Sequence, residues 1–236
     1  MVATLHSSVL TRLGMQVVDG TLPAGSVITL DWLGQEFAVS RTVAREVVQV
    51  LSSLGLVASK RRTGVRVLPR EDWAVFDPLL LRWRLAGKER QELLGQLSQL
   101  RAAIEPAAAS LAARRAEPSQ RDRVVELAAL MEDSGARGDL ATFLEYDVEF
   151  HRLLLQASGN EMFAGLGDVV EEVLRGRTDH QLMPVRPKPE ARRLHQMVAD
   201  AVAGEKPELA LAAMSAICAE VLTEMGAPPR DPDQLG

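Results

Sequence analysis

Residues 40–67 leave the fewest folding options open. Ser40 offers a capping hydroxyl ahead of a helical run in which Val43, Val47, Val50, Leu51 and Leu54 recur at three- and four-residue spacing. Gly55 ends that run. Two short β-forming stretches, LVASK and VRVL, then follow across RRTG, where Gly64 permits a tight turn. Upstream, residues 4–19 carry Leu5, Val9, Leu13, Met15 and Val17 at helical spacing. GTLPAGS marks a turn, and a short helix is predicted from about Asp31 to Phe37. Three helices followed by a basic hairpin is the order of a winged helix-turn-helix.

Charge indicates what such a module would meet. The 236-residue chain is acidic, with 27 Lys plus Arg against 32 Asp plus Glu. Residues 1–70 run the other way, with eight bases against four acids, and residues 39–70 hold seven bases and one acid. This asymmetry suggests two modules, the first seeking a polyanion and the second not. Arg41 takes the first helical position and Arg45 lies one turn on, on the same side. A recognition helix reads the major groove with its N-terminal residues. Arginine suits the paired acceptors of guanine, and Ser or Thr reaches phosphates or bases. Ser40, Arg41, Thr42 and Arg45 are therefore the candidate DNA contacts. Lys60, Arg61, Arg62 and Arg66 of the wing would meet the flanking backbone or minor groove. An isolated arginine pair would read as a solvated helix face; the preceding helix and the basic hairpin favour DNA.

Residues 69–77 read as a linker. Beyond them β signals disappear, and helices are predicted over 78–86, 89–115, 119–135, 139–158, 161–180, 190–203 and 207–225. Ser119 with Asp122 resembles a capping box, and Asp139 follows Gly138 as an N-cap. The expected fold is mainly α. A winged helix-turn-helix occupies residues 1–68, an all-helical antiparallel bundle of six to seven helices occupies 78–228, and a tail covers 229–236. The single cysteine, Cys218, allows no internal disulfide and reads as a small buried apolar residue. No apolar run approaches the ~18 residues of a membrane span. The N-terminus lacks the pattern of a secretory signal, so a cytoplasmic location is expected.

The segment DVEFH carries the chemistry of the second half. Asp147 and His151 share a helix face that also holds Phe143, Phe150 and Leu154. A carboxylate on an apolar stripe is costly unless paired or coordinated. Asp and His at this spacing can reach one cation. His195 lies on a distant helix among Val198, Ala199 and Val202. The residues alone leave two readings: an Asp147–His151 hydrogen bond with an unrelated His195, or a shared site. Arg101, in QLRAAIEP, could clamp an effector carboxylate with its guanidinium fork, or pair with Glu105 one turn on. Arg175 and Arg177 rank below it as pocket residues. His180 is a reserve ligand and His6 an exposed helix residue.

These features resemble a known group. LGMQVVDGTLPAGSVIT, LGQEFAVSRTVAREVVQVLSSLGLV and RRTGVRV are similar to the GntR superfamily of bacterial transcription regulators. The resemblance places Ser40, Arg41, Thr42, Arg45 and Gly64 at the family's DNA-contact positions. The chain departs from the pattern at Asp31, where the family often carries an arginine that touches DNA. LRAAIEPAAASLAA, FLEYDVEFHRLLLQASGN and RRLHQMVADAVAGEKPELALAAM resemble the FCD ligand-binding domain of the FadR-type branch, nearest to regulators of sugar acids such as galactonate. That resemblance implies that Asp147, His151 and His195 converge on a divalent metal, zinc foremost, and that Arg101 faces the pocket. Metal-binding members place a third histidine where this chain has Ile217. Three protein ligands can still hold zinc with water or effector completing the shell, or can bind effector hydroxyls without metal.

The combined expectation is a dimeric repressor on a palindromic operator, governed by a small hydroxy-carboxylate bound among Arg101, Asp147, His151 and His195. One alternative is the same fold sensing a bulky apolar ligand such as acyl-CoA. Another is a metal-dependent enzyme at Asp147, His151 and His195, for which no nucleophile or general base stands at a convincing spacing.

Overall fold

In the computed structural model, residues 5–60, 64–179 and 187–226 are described. Arg61, Arg62, His180 and the predicted tail 229–236 lie outside the described residues.

The chain divides into two compact units, residues 1–90 and 91–236. The first begins with α1 (Leu5–Val18), followed by β1 (Val27–Ile28), α2 (Leu30–Glu36) and α3 (Arg41–Ser53). The Thr29 hydroxyl accepts from the Trp32 N–H at 3.1 Å and starts α2. Ser40 caps α3 in the same way, accepting from the Val43 N–H at 3.3 Å. Ala38, between the two helices, sits in the left-handed region at φ 52°, a conformation that costs a non-glycine residue about 1–2 kcal/mol. Leu33, Ala44, Val47 and Leu51 are fully buried beneath these helices.

After α3, Gly55 adopts φ 72°, and a Cβ there would come within 2.0 Å of the Asp72 carbonyl. Strands β2 (Val57–Lys60) and β3 (Gly64–Val67) then pair antiparallel, with Val57 opposite Val67. β1, which the periodicity did not announce, adds to the other edge of β3, with Ile28 opposite Val65. The sheet order is β1-β3-β2.

Helix α4 (Pro78–Ala86) has the predicted bounds but belongs to the first unit, whereas the sequence boundary assigned it to the second. Trp83 and Leu80 lie in the same core as Leu13, Val47 and Val65. Gly14 on α1 leaves room for the Trp83 indole, since a Cβ there would meet the ring at 2.3 Å. Helical spacing shows that α4 buries a face; it does not show against what.

Among the described residues, the elements of the second unit are all helices: α5 (Arg90–Arg115), α6 (Pro118–Arg137), α7 (Leu140–Ala157), α8 (Glu161–Ala164), α9 (Gly167–Asp179), α10 (Pro189–Ala203) and α11 (Pro207–Gly226). α6 packs on α7 and α10, α10 on α11, and α7 on α9. Ala109, Ala112 and Ala113 of α5 share a core with Leu127, Phe150, Val198 and Met214. The capping box of α6 is Glu117 with Gln120, not Ser119 with Asp122. Pro118 takes the first turn and moves the helix start upstream. Asp139 caps α7 as expected, accepting from Thr142 N–H at 3.1 Å. The helix predicted over 161–180 is two pieces, α8 and α9, interrupted at Gly165–Leu166. No helix among the described residues is long and apolar enough to cross a membrane.

Candidate functional site

Two sites emerge, one in each unit. In the first unit, Ser40, Arg41, Thr42 and Arg45 are all exposed along the N-terminal half of α3. The opposite face of the helix, with Ala44, Val47, Val48 and Leu51, fills the core. The four candidates therefore share one open surface, and their backbone is held by the Ser40 cap. Arg66 is exposed on β3. Gly64 has a structural reason of its own: its φ is 98°, and a Cβ would approach the Ile28 carbonyl to 2.7 Å. Arg41 is not free of partners. Its Nη2 lies 3.5 Å from Asp31 Oδ1, and both side chains are largely exposed.

In the second unit, α5, α7 and α10 bring Arg101, Glu105, Asp147, His151 and His195 together, all buried. Asp147 Oδ1 lies 3.3 Å from His151 Nε2 and 3.2 Å from His195 Nε2. Ligand atoms of the three fall within 4.8 Å of one another. The other nitrogen of each ring identifies its tautomer. His195 Nδ1 is 2.7 Å from the Ala191 carbonyl, which can only accept, so Nδ1 carries a proton. His151 Nδ1 makes a 2.6 Å ion-pair contact with Glu105 Oε2, and the carboxylate favours a proton on that nitrogen, although the two are not aligned as a hydrogen bond. The Nε2 of each ring then faces Asp147, where it serves as a ligand atom once it carries no proton, and His151 Nε2 also lies 3.4 Å from Arg101 Nη2. Asp147 Oδ1, His195 Nε2 and His151 Nδ1 are buried without a hydrogen-bond partner among the described residues. Donor atoms aimed at one another in this way suit a cation between them, with the Nδ1 partners fixing the rings from behind. Phe150 stacks edge-on against both imidazoles, at 5.8 Å from His151 and 5.4 Å from His195.

Electrostatics support a charged centre. Burial alone would raise the Asp147 carboxyl, but the His151 and His195 imidazoles beside it hold it well below the usual carboxylate range. Burial would lower His151; Glu105 and Asp147 outweigh it and push it up to about 9. A cation at this centre would therefore displace a proton. Burial likewise opposes ionisation of Glu105, yet Arg101 and His151 bring it down to about 2. Cys218, buried nearby, is pushed up to about 12 chiefly by burial and is an inert thiol.

A cavity of about 50 Å³ opens over the three converging ligands. Its polar lining comes from Arg101, Arg177, Lys188 and Glu220, and its apolar lining includes Phe143, Leu174, Pro187, Ile217 and Val221. The position at which the resemblance implies a third histidine is thus a cavity wall. Arg101 reaches the cavity, but its fork grips Glu105, with Nε at 2.5 Å from Oε1 and Nη2 at 3.2 Å from Oε2. Only Nη1 remains without a hydrogen-bond partner among the described residues. Of the two sequence readings of Arg101, the Glu105 pairing is present, and Arg101 also lines the cavity. Arg175 is engaged by Glu145 and Glu171 and does not line the cavity. His6 is half-buried on α1 in the other unit.

Comparison with known proteins follows the same division. Residues 5–67 match the bacterial regulatory proteins of the gntR family, and residues 96–220 match the FCD domain. The galactonate operon transcriptional repressor of Escherichia coli (strain K12) is 32% identical over 168 residues, covering 71% of this chain and 72% of the repressor. The HTH-type transcriptional regulator LutR of Bacillus subtilis (strain 168) is 29% identical over 206 residues, covering 85% of this chain and 91% of LutR. The solved structure of Lar, which controls expression of the Listeria monocytogenes agr system, superposes with a TM-score of 0.63 over 94% of this chain and 96% of that one, at 18% identity. That last likeness bears on the fold alone. With both of its units matched, the chain belongs to the gntR family of bacterial regulators that carry an FCD domain, and it is a DNA-binding transcription regulator rather than an enzyme.

Proposed function

We propose that this regulator is a dimeric repressor that reads a palindromic operator with Ser40, Arg41, Thr42, Arg45 and the wing, and that a small hydroxy-carboxylate controls its grip. The observation that carries the effector half is the convergence of Asp147 Oδ1, His151 Nε2 and His195 Nε2 under a cavity. The donor set of one carboxylate and two imidazoles fits a divalent cation such as zinc. Such a cation, when bound, would offer a Lewis-acidic point to the effector's carboxylate and hydroxyl oxygens. Around it, Glu105 and the Ala191 carbonyl orient the imidazoles, and Phe150 fixes their planes. Arg101 Nη1, Arg177 and Lys188 supply positive charge at the cavity for a carboxylate. Differential affinity of the effector for two arrangements of the protein then changes the operator-binding population. The names of relatives that repress a galactonate operon and, in Paenarthrobacter nicotinovorans, probably a D-xylose utilization operon support a repressor of sugar-related genes.

The test combines elemental analysis, thermal shift and gel shift on the full chain, with acids ranging from lactate-like to sugar acids. The wild-type protein is expected to carry a divalent metal and to be stabilised by one class of acid. His195→Ala should lose the metal and the stabilisation while still binding DNA. Arg45→Ala should lose specific DNA binding and keep the stabilisation. A wild-type protein that binds no added divalent metal, or a His195→Ala variant that responds like wild type, would overturn the effector reading.

A further inference from the structure

We propose that Asp31 is a specificity-determining positioning residue that turns Arg41 from a general phosphate contact into a reader of bases. The proposal rests on the reading that α3 meets DNA. Its observation is separate: Asp31, in the first turn of α2, places Oδ1 3.5 Å from Arg41 Nη2, at the first position of α3. The side chains are 71% and 66% exposed, so the pair stands on the open face beside Thr42 and Arg45 and is not part of the core. An exposed ion pair of this kind adds little to folding stability, so its effect is sought in binding.

The chemistry separates two kinds of contact. A phosphate is attracted to a lone guanidinium but repelled by a carboxylate beside it. A guanine edge carries no net charge and offers two acceptors in a plane. A carboxylate that engages one side of the guanidinium leaves the remaining N–H donors available and restricts the rotamers of a long side chain. Asp31 therefore penalises the sequence-independent use of Arg41 and leaves its base-reading use intact. Residues 39–70 are otherwise strongly basic, with Glu46 as their one acid. Such a surface binds any duplex, and an acid on α2 held against the first residue of the reading helix is a direct way to limit that.

The test uses the full-length protein and a duplex site selected by it from a random library. Wild type, Asp31→Asn, Arg41→Ala and the double variant are titrated against that site and against unrelated duplex over a salt series. Folding is checked by circular dichroism. Asp31→Asn is expected to tighten binding to unrelated duplex several-fold, to lower the ratio of specific to unrelated affinity, and to steepen the salt dependence by about one phosphate contact. In the Arg41→Ala background, Asp31→Asn should change none of these. If Asp31→Asn leaves the ratio and the salt slope unchanged, the proposal fails. It also fails if the substitution has the same effect without Arg41, because Asp31 would then act as bulk charge only. If Arg41→Ala alone leaves DNA binding intact, the contact reading of α3 falls, and this proposal with it.

Discussion

At the scale of single residues, the informative group is Glu105. Its carboxylate takes the fork of Arg101 on one side and makes an ion-pair contact with His151 Nδ1 on the other, all in a buried setting. The 101/105 spacing makes the Arg–Glu pair legible in the sequence. Its service to His151 is not, because 46 positions separate Glu105 from His151 and only the fold joins them. The same limit applies to His195: Asp147 and His151 announce each other by helical spacing, while His195 enters by resemblance alone. Removal of Glu105 should show both duties. Glu105→Ala leaves a buried guanidinium uncompensated and is expected to lower unfolding free energy by about 3–5 kcal/mol, read from urea denaturation. Glu105→Gln keeps the shape but weakens the hold on His151. A divalent cation should then bind about 10- to 100-fold more weakly, measured by competition with a chromogenic chelator.

Elements were readable in proportion to how local their causes are. Helix α3 was legible because its cap, its apolar stripe and its terminating Gly55 are all neighbours in the chain. Strand β1 was not, because two residues have no periodicity and its partner, β3, lies far along the chain. The interruption between α8 and α9 was hidden because Gly165 is compatible with a continuous helix. Once broken, α9 is tied to α7 by charge. Arg175 bridges Glu145, at 2.7 Å and 2.8 Å, and Glu171, at 2.7 Å, while Arg152 meets Asp168 at 2.7 Å and Glu171 at 2.5 Å. The hydrogen bond from Arg175 holds Glu145 below its ordinary value. Burial would raise Glu171, but Arg175 and Arg152 outweigh it and lower it as well. A carboxylate depressed on folding stabilises the fold above its unfolded value of 4.5, and that contribution fades as pH falls through and below it. Chemical denaturation between neutral pH and pH 4 should therefore show a loss of stability. The loss should be shallower in Arg175→Met, in which Glu145 loses its arginine and Glu171 keeps only Arg152.

At the scale of the whole molecule, the sequence shows two modules through charge and through the switch from mixed to all-helical patterning. It does not show which side α4 joins. The structure gives each unit a core of its own, one built on Leu13, Val47, Val65 and Trp83, the other on Leu127, Phe150, Val198 and Met214. Two cores predict two unfolding events. Differential scanning calorimetry should resolve a pair of transitions, and a divalent cation or an effector acid should raise only the one that belongs to residues 91–236. A single transition that shifts as a whole would contradict this independence. The seat of Trp83 against Gly14 carries a further consequence for how such proteins can be recombined. A splice made just after the wing would strip α1 of the indole that fills its groove, whereas a splice near residue 90 would pass between cores. Exchange of one sensor for another, in evolution or in the laboratory, should therefore carry α4 along with the DNA-reading half as its inseparable heel.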